Sequence, residues 1–231
     1  MSEPFDPLAV ENIGVTLAVE LLEQPTGRFP LTERFTGAGI YALYYHGELP
    51  GYAALTALDA GRKLYPVYIG SAVREKAKQG FTSRPSVERR VYGRLRSHQS
   101  SIGQAGLNPA DFSYRYLILN DAYITLAESV LIAVFRPIWN GLGFGSNGVG
   151  GVRIDGKASL WDGLHAGRAG RPAADAVRQA EAAAHVADCI ARIGTDYDDP
   201  RTQEMADRIM QIVNGLALLR SQAPRGQGAP G

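Results

Sequence analysis

Apolar residues recur at helical and strand spacings in separate stretches of the chain, and these spacings predict its elements. Residues 6–24 carry apolar side chains about 3.6 residues apart, which is typical of a helix. Runs of β-branched and aromatic residues predict three strands, over 39–45, 64–70 and 112–119. Periodicity and terminal signals predict five further helices, over 52–59, 85–98, 121–136, 173–193 and 200–219.

Two prolines refine the positions of these elements. Pro66 lies inside the second predicted strand and cannot donate a hydrogen bond to a neighbour, so it predicts an edge strand or a bulge. The helix over 121–136 is apolar on nearly every side and stops before Pro137. Such a helix is expected to be central and buried.

This order of elements predicts an α+β fold, in which helices flank a small three-stranded sheet with mixed or antiparallel pairing. We expect an N-terminal helical extension over 1–36 and a core over 37–150, with an inserted loop at 46–63. A C-terminal loop and helical extension should follow over 151–221. The last residues, 222–231, are rich in Gly, Pro and Gln and are expected to be disordered.

Composition excludes several classes of protein. The chain has 231 residues, of which 45% are hydrophobic and 20% charged, and this profile argues against disorder as the main state. No apolar run approaches the roughly 20 residues that cross a membrane, and the acidic start does not resemble a signal peptide. The single cysteine, Cys189, excludes an intrachain disulfide. We therefore expect a soluble, cytoplasmic protein with no membrane partner.

The net charge of +1 hides a strong local imbalance. Residues 61–101 hold ten Lys and Arg against two Glu, a net charge of +8, whereas the rest of the chain holds 14 against 21. A local field of this sign suits a polyanion such as nucleic acid, although a solvated helix face would also explain it. The predicted DNA contacts are basic side chains of this segment: Arg62, Lys63, Arg74, Lys76, Lys78, Arg84, Arg89 and Arg90.

Several common catalytic patterns are missing or misplaced. Residues 143–148 spell G-x-G-x-x-G, but no predicted strand precedes them directly and no periodic helix follows, so a dinucleotide site is not expected. The chain has no G-x-S-x-G, no H-E-x-x-H and no P-loop. Its four histidines lack metal-ligand spacing.

Two tripeptides remain, Gly39–Tyr41 in the first predicted strand and Tyr68–Gly70 at the end of the second. With them the sequence resembles the GIY-YIG nuclease superfamily. The resemblance extends over about residues 37–145 and includes the order strand, strand, helix, strand, helix. It implies a catalytic set of six residues: Tyr41, Tyr68, Arg94, His98, Glu128 and Asn140.

Within this superfamily the chain resembles the type II restriction endonucleases that cut the palindrome CCGCGG. The basis is the long insertion between the tripeptides, the pair Arg94 and His98, and the segment Trp161–Arg168. The resemblance implies a homodimer that cuts double-stranded DNA with Mg²⁺, for which Mn²⁺ can substitute. A two-metal site generally needs several carboxylates and only Glu128 is placed to contribute one, so we expect one Mg²⁺ per active site. It also implies a cognate DNA methyltransferase that acts on the same site in the host.

Phosphodiester hydrolysis needs a base for water, a cation at the phosphate and neutralisation of the leaving oxygen. Tyr41 lies mid-strand, and its hydroxyl is expected to point out of the sheet. Because a phenol has a pKa of about 10, Tyr41 needs a neighbour such as His98 to act as a base near pH 7. Tyr68 would hold the water or a phosphate oxygen. The alternative for both tyrosines is ordinary packing, and the alternative for His98 is a cation at a helix C-terminus.

The guanidinium of Arg94 can form a bidentate hydrogen-bonded contact with a phosphate. The alternative for Arg94 is a non-specific DNA contact or a surface salt bridge. Glu128 lies alone in an apolar helix, where a carboxylate is costly unless a partner such as a metal ion compensates it. Its alternative is a capping box with Thr125. However, Asp121 is an equally good cap and would place Glu128 two turns inside the helix. Asn140 either supports the site by hydrogen bonds or starts the glycine-rich turn.

Three functions fit these residues. The first is a Mg²⁺-dependent, sequence-specific restriction endonuclease. The second is a nucleic-acid-binding module that has lost its chemistry, which the full set of six residues argues against. The third is a repair or homing nuclease of the same superfamily, although such enzymes typically carry separate DNA-binding modules and this chain has only about 85 residues after the predicted core.

Overall fold

The computed structural model describes residues 6–75, 86–145, 158–195 and 197–222, and these form one sheet and eight α-helices. The strands are β1 (Gly27–Arg28), β2 (Gly39–Tyr45), β3 (Tyr68–Ala72) and β4 (Phe112–Ile118). The helices are α1 (Val10–Glu23), α2 (Ala53–Asp59), α3 (Arg90–Gln104), α4 (Asp121–Phe135), α5 (Ile138–Leu142), α6 (Leu160–Leu164), α7 (Ala176–Ala191) and α8 (Pro200–Gln222).

Strand β2 is the centre of the fold, and all seven of its residues are buried. Successive side chains of a strand point to opposite faces, so β2 contributes to two cores. Ile40, Ala42 and Tyr44 pack into a core with α1, α4 and α8. The side chains of Tyr41, Leu43 and Tyr45 pack with α3, α5, α6 and α7 on the other face. Helices therefore cover both faces of the sheet.

The α+β architecture is confirmed, with one more strand than predicted. The strand order is β1-β4-β2-β3 and every pairing is antiparallel, so the prediction of three strands and the option of mixed pairing were wrong. The added strand, β1, has only two residues, paired with Ser113 and Tyr114 of β4. Two residues are too few to show the alternation by which strands are found in a sequence.

Strand β3 lies at an edge of the sheet, as Pro66 predicted, but it begins at Tyr68 rather than residue 64. The buried carboxylate of Asp59 accepts hydrogen bonds from the backbone N–H groups of Leu64 and Tyr65. Pro66 has no N–H group. The approach to β3 is therefore bound to the end of α2 instead of extending the sheet.

Helix α4 begins after Asn120, whose side-chain oxygen accepts a hydrogen bond from the N–H group of Ala122. The N-cap is thus neither Thr125 nor Asp121, and Glu128 lies two turns inside the helix. The helix ends at Phe135 and is C-capped by Arg136, which adopts a left-handed conformation with φ of 44° immediately before Pro137. As predicted, α4 is central: it packs against β2 and β3 on one side and α1 and α8 on the other.

The helices after the predicted core divide between the two faces of the sheet. Helices α6 and α7 pack beside α5 on the face of Tyr41, and α8 packs against α1 and α4 on the opposite face. None of the described helices is long and apolar enough to cross a membrane. The predicted disordered tail lies outside the described residues except for Gln222, which ends α8. The predicted domain boundaries stay predictions.

Candidate active site

The two tripeptides meet because β2 and β3 are paired in register, with Tyr41 directly opposite Gly70. The phenol of Tyr41 extends over this glycine, since a Cβ atom added at Gly70 would lie 2.6 Å from the Tyr41 hydroxyl. Any larger residue at position 70 would displace that hydroxyl. The glycine of the second tripeptide therefore makes room for the tyrosine of the first.

Helix α3 places His98 beside Tyr41. Val91, Leu95 and Ile102 bury the same side of α3 against the sheet, and His98 lies in this row with only 3% of its surface exposed. The hydroxyl of Tyr41 and Nε2 of His98 are hydrogen-bonded at 2.8 Å. Tyr41 is fully buried, so its hydroxyl does not point freely out of the sheet as expected; it forms a pair with His98 inside a closed cluster.

The environment of the pair fixes its protonation. Burial lowers the pKa of His98 to about 3, and the positive charges of Arg94 and Arg168 add to this effect. Burial raises the pKa of Tyr41 and the nearby Tyr68 raises it further, while Arg94 acts in the opposite direction. Near pH 7 the imidazole is neutral and the phenol keeps its proton. When the imidazole proton is on Nδ1, the phenol donates to Nε2 and the pair is ready to transfer a proton.

Arg94 and Tyr68 complete this cluster. Nη2 of Arg94 donates a hydrogen bond of 3.2 Å to the carbonyl of Gly145, and the guanidinium also interacts with the hydroxyls of both tyrosines. Burial and Glu128 raise the pKa of Tyr68, while Arg94 and Tyr41 lower it. Gly145 has a φ of +73°, and a Cβ atom there would clash with the Tyr68 hydroxyl. This turn therefore requires glycine.

Glu128 lies next to the cluster, on the half-buried side of α4, and is within electrostatic range of Tyr68. Its Oε2 accepts a hydrogen bond of 2.7 Å from the hydroxyl of Ser71 in β3. Across the described parts of the chain, no group of three or more His, Cys, Asp or Glu converges on a metal position. Mg²⁺ often uses only one or two carboxylates, together with water and phosphate oxygens, so a single glutamate fits one such ion.

Asn140 acts on the backbone of the site. Its Oδ1 accepts a hydrogen bond of 2.9 Å from the N–H group of Ile69, and its Nδ2 donates one of 2.8 Å to the Ile69 carbonyl. Ile69 lies between Tyr68 and Gly70 on the edge strand. This pair of bonds holds the second tripeptide in place, so the geometry gives Asn140 a positioning role.

The predicted DNA-contacting residues fall into three groups. Arg62 and Lys63 lie in the segment between α2 and β3, and the carbonyl of Lys63 accepts a hydrogen bond from the side chain of Arg115 in β4. The Arg62 side chain donates to the carbonyls at the end of α2, at 3.3 Å. The structure therefore does not bring Arg62 and Lys63 to the catalytic cluster.

The second group lies near the beginnings of α3 and α4. Arg74 forms an ion pair with Asp121, Arg90 donates a hydrogen bond of 2.8 Å to the carbonyl of Val73, and Arg89 is exposed. The third group, Lys76, Lys78 and Arg84, lies outside the described residues.

Three residues of the site were missed by the sequence reasoning. Ser71 immediately follows the second tripeptide, and this position is the only feature of the sequence that could have indicated its place in the site. Phe144 packs its ring against those of Tyr68 and His98, at centroid distances of 5.1 and 4.8 Å. Phe144 and Gly145 both belong to the G-x-G-x-x-G pattern of residues 143–148, which was interpreted only with respect to a dinucleotide site.

The fold and this cluster of two tyrosines, an arginine, a histidine and a glutamate define a nuclease domain of the GIY-YIG class. A family model described as the Eco29kI GIY-YIG domain matches residues 33–193, and the chain belongs to this restriction endonuclease GIY-YIG family. The match confirms the superfamily resemblance and extends beyond the predicted core into the loop after α7. No curated protein matches the chain.

Proposed function

We propose that the chain is a type II restriction endonuclease that uses Mg²⁺ to cut double-stranded DNA at a specific G/C-only palindrome such as CCGCGG. The observation that carries the proposal is the hydrogen-bonded pair of Tyr41 and His98, with Arg94 and Tyr68 in contact and the carboxylate of Glu128 beside them. A module that only binds DNA has no need of a buried proton-transfer pair.

The raised pKa of Tyr41 explains why it would work together with His98. A buried phenol does not ionise alone at neutral pH, but it can take a proton from water while passing its own proton to Nε2 of His98. The positive charge that then develops on the imidazole is unfavourable beside Arg94. A bound phosphate offsets it, because its negative charge would be held by the guanidinium of Arg94.

Glu128 would hold the metal ion, with Ser71 fixing the orientation of its carboxylate. Bound there, Mg²⁺ supplies Lewis-acid stabilisation of negative charge on the phosphate and the leaving oxygen. Mn²⁺ prefers similar oxygen ligands and should substitute for it. Among the residues that the structure describes, Glu128 is the single carboxylate beside the tyrosine pair, so one ion per active site is proposed.

One active site per chain suggests a homodimer on DNA, because cutting both strands of a palindrome at once needs two sites related by two-fold symmetry. The partners proposed are therefore double-stranded DNA and a second copy of the chain. A restriction enzyme also needs a cognate DNA methyltransferase that modifies the same site and so protects the host genome.

A plasmid assay tests the proposed function. Supercoiled plasmids with and without CCGCGG sites are incubated with the protein and Mg²⁺, and Glu128→Gln serves as the inactive control. Discrete fragments from the site-bearing plasmid alone support the proposal. Smears or nicks on both plasmids would favour a repair or homing nuclease, and a gel shift without cutting would favour a binding module.

The assembly is tested separately by light scattering with and without a duplex that contains the site. Two chains per duplex, with no accumulation of nicked circles during cleavage, support the dimer. One chain per duplex with nicked DNA building up first would contradict it.

A further inference from the structure

A buried ion pair in the C-terminal extension lies behind the catalytic cluster without belonging to it. Nε and Nη2 of Arg168 donate to Oδ1 and Oδ2 of Asp162 at 2.6 and 2.7 Å. The two side chains are only 8% and 2% exposed. The hydroxyl of Ser159 donates a further hydrogen bond of 2.5 Å to Asp162. This contact is bidentate: it requires the planar guanidinium of an arginine, and a lysine would not reproduce it.

Aromatic rings connect this ion pair to the proposed catalytic histidine. The Arg168 guanidinium lies 4.5 Å from the centre of the Trp161 ring. Trp161 packs on Phe144 with ring centroids 4.7 Å apart, and Phe144 packs on His98 at 4.8 Å. Arg168, Trp161, Phe144 and His98 therefore form one continuous stack. Its far end is fixed by Asp162, and its near end is the imidazole that bonds to Tyr41.

Stability alone is a poor reason for a charge pair at this position. Replacing a buried ion pair by apolar residues of similar volume is often neutral or stabilising, since the desolvation of two charges offsets much of their attraction. The ion pair does, however, impose a single orientation on Arg168 and on the indole beneath it. Such a constraint is useful where a reacting group must be held within a fraction of an ångström.

We infer that Arg168 is a positioning residue for the proposed reaction: paired with Asp162, it holds Trp161 and Phe144 against His98 and so keeps Nε2 of His98 on the hydroxyl of Tyr41. This inference rests on the proposed function, because it assigns a purpose to the pair of Tyr41 and His98.

Arg168 also acts on His98 through its charge. The groups that face His98 are Tyr41 from β2, Tyr68 from β3, Arg94 from its own helix and Arg168 from the C-terminal extension. Burial is the main reason for the low pKa of His98, and the two arginines lower it further. Arg168 therefore helps to keep His98 a neutral acceptor while the stack keeps its ring in place.

The test uses three variants of the full chain and one control. Arg168→Lys keeps the positive charge but loses the bidentate contact with Asp162. Arg168→Gln loses both the charge and the bidentate contact. The double variant Asp162→Asn with Arg168→Gln removes both charges, so no carboxylate is left buried without its partner. The control, Arg178→Gln, removes a partly exposed arginine of α7 that pairs with Glu181 at 2.8 Å.

Two readouts are taken on each variant. Single-turnover cleavage at saturating DNA is expected to fall by about 10²-fold in all three variants, as typical for a misplaced catalytic group, with little change in DNA affinity. The ¹⁵N resonances of the His98 ring, assigned with His98→Gln, are expected to titrate at higher pH in both variants that lack the Arg168 charge. Arg178→Gln should match the wild type in both readouts.

The inference is overturned if the folded double variant cleaves at the wild-type rate. It is also overturned if the rate falls while the His98 resonances are unchanged, because the ion pair would then serve the fold alone. If the wild type itself does not cut DNA, the proposed function fails. The His98 resonances still decide in that case, through Arg168→Lys, which keeps the charge and loses the geometry: unchanged ring resonances in the folded Arg168→Lys variant refute the positioning of His98 by Arg168, and changed ring resonances support it.

Discussion

The hydroxyl of Ser71 donates a hydrogen bond of 2.7 Å to Oε2 of Glu128, from the residue directly after the second tripeptide. Strand β3 therefore positions two parts of the site at once, Tyr68 through its own side chain and Glu128 through Ser71. The carboxylate and the tyrosine pair are held in a fixed relation even though they lie on different elements. This relation leads to the first two predictions.

Glu128→Gln should abolish cleavage and leave DNA binding intact, because the carboxylate is assigned to the metal ion and not to DNA. The amide has the same shape and keeps an oxygen for the Ser71 hydroxyl, so the fold should be retained. Plasmid cleavage in Mg²⁺ and gel shifts in its absence measure the two properties. Appreciable residual cleavage would rule out Glu128 as the metal ligand.

Ser71→Ala should raise the Mg²⁺ concentration needed for half-maximal cleavage by about 10–100-fold, the usual effect of losing a partner that orients a metal ligand. The maximal rate at high Mg²⁺ should largely recover. Ser129→Ala is the matched control, because Ser129 is next to Glu128 and its hydroxyl donates only to the Thr125 carbonyl. An unchanged Mg²⁺ requirement in Ser71→Ala would show that the hydrogen bond does not orient the ligand.

The sequence was most informative where a residue pattern alone determines the element. Strand β2 was predicted at its full length because seven consecutive residues combine strand-forming side chains with burial on both faces. Strand β1 was missed, since two residues carry no period. The start of β3 was misplaced because the carboxylate of Asp59 binds the backbone of Leu64 and Tyr65, and such a contact between a side chain and the backbone leaves no periodic pattern in the sequence.

In the site, too, the residues marked by a sequence motif were predicted, whereas the contacts between separate elements were not. The family resemblance identified six residues, and the structure places Tyr41, Tyr68, Arg94 and His98 in one cluster with Glu128 beside it. The burial of Tyr41 and the bond between Ser71 and Glu128 depend on strand register and helix packing, which only the folded chain determines. The ion pair of Arg74 with Asp121 was hidden for the same reason.

Tyr41→Phe should reduce the single-turnover rate by about 10²–10⁴-fold, the usual contribution of general acid–base catalysis. It should also cost about 1–3 kcal/mol of stability, because Nε2 of His98 loses its buried partner. Tyr44→Phe is the matched control: it lies on the same strand but faces the other core. If Tyr41→Phe unfolds more easily and keeps its activity per folded molecule, Tyr41 is a packing residue only.

Arg94→Ala should slow the cleavage step more than it weakens binding, because the guanidinium acts on charge that develops at the phosphate. Arg89→Ala is the contrasting variant, since Arg89 is exposed at the start of α3 and should contact only the DNA backbone. It should weaken binding and reduce the slope of log K against log salt by about 0.9. A normal single-turnover rate with reduced affinity in Arg94→Ala would place Arg94 among the ordinary backbone contacts.

Two buried histidines should make the protein sensitive to acid. Burial lowers the pKa of His98 to about 3 and that of His165 to about 4, from an ordinary value of 6.5, and Arg168 contributes to both shifts. The unfolded chain therefore binds more protons than the folded chain between these values and 6.5. Stability rises with pH where the unfolded state binds more protons, so both groups should destabilise the fold as pH falls below 6.5 and have no effect above it.

Urea unfolding at several pH values between 4 and 8 measures this effect. The midpoint of the wild type should be constant from pH 8 to 7 and fall steadily below 6.5. His98→Gln and His165→Gln each remove one titrating group, so each should show a smaller fall with acid even if its midpoint at pH 8 is lower. Each histidine bonds a tyrosine hydroxyl at 2.8 Å, to which glutamine can still bond. A pH dependence equal to that of the wild type in both variants would mean that neither histidine is held neutral by the fold.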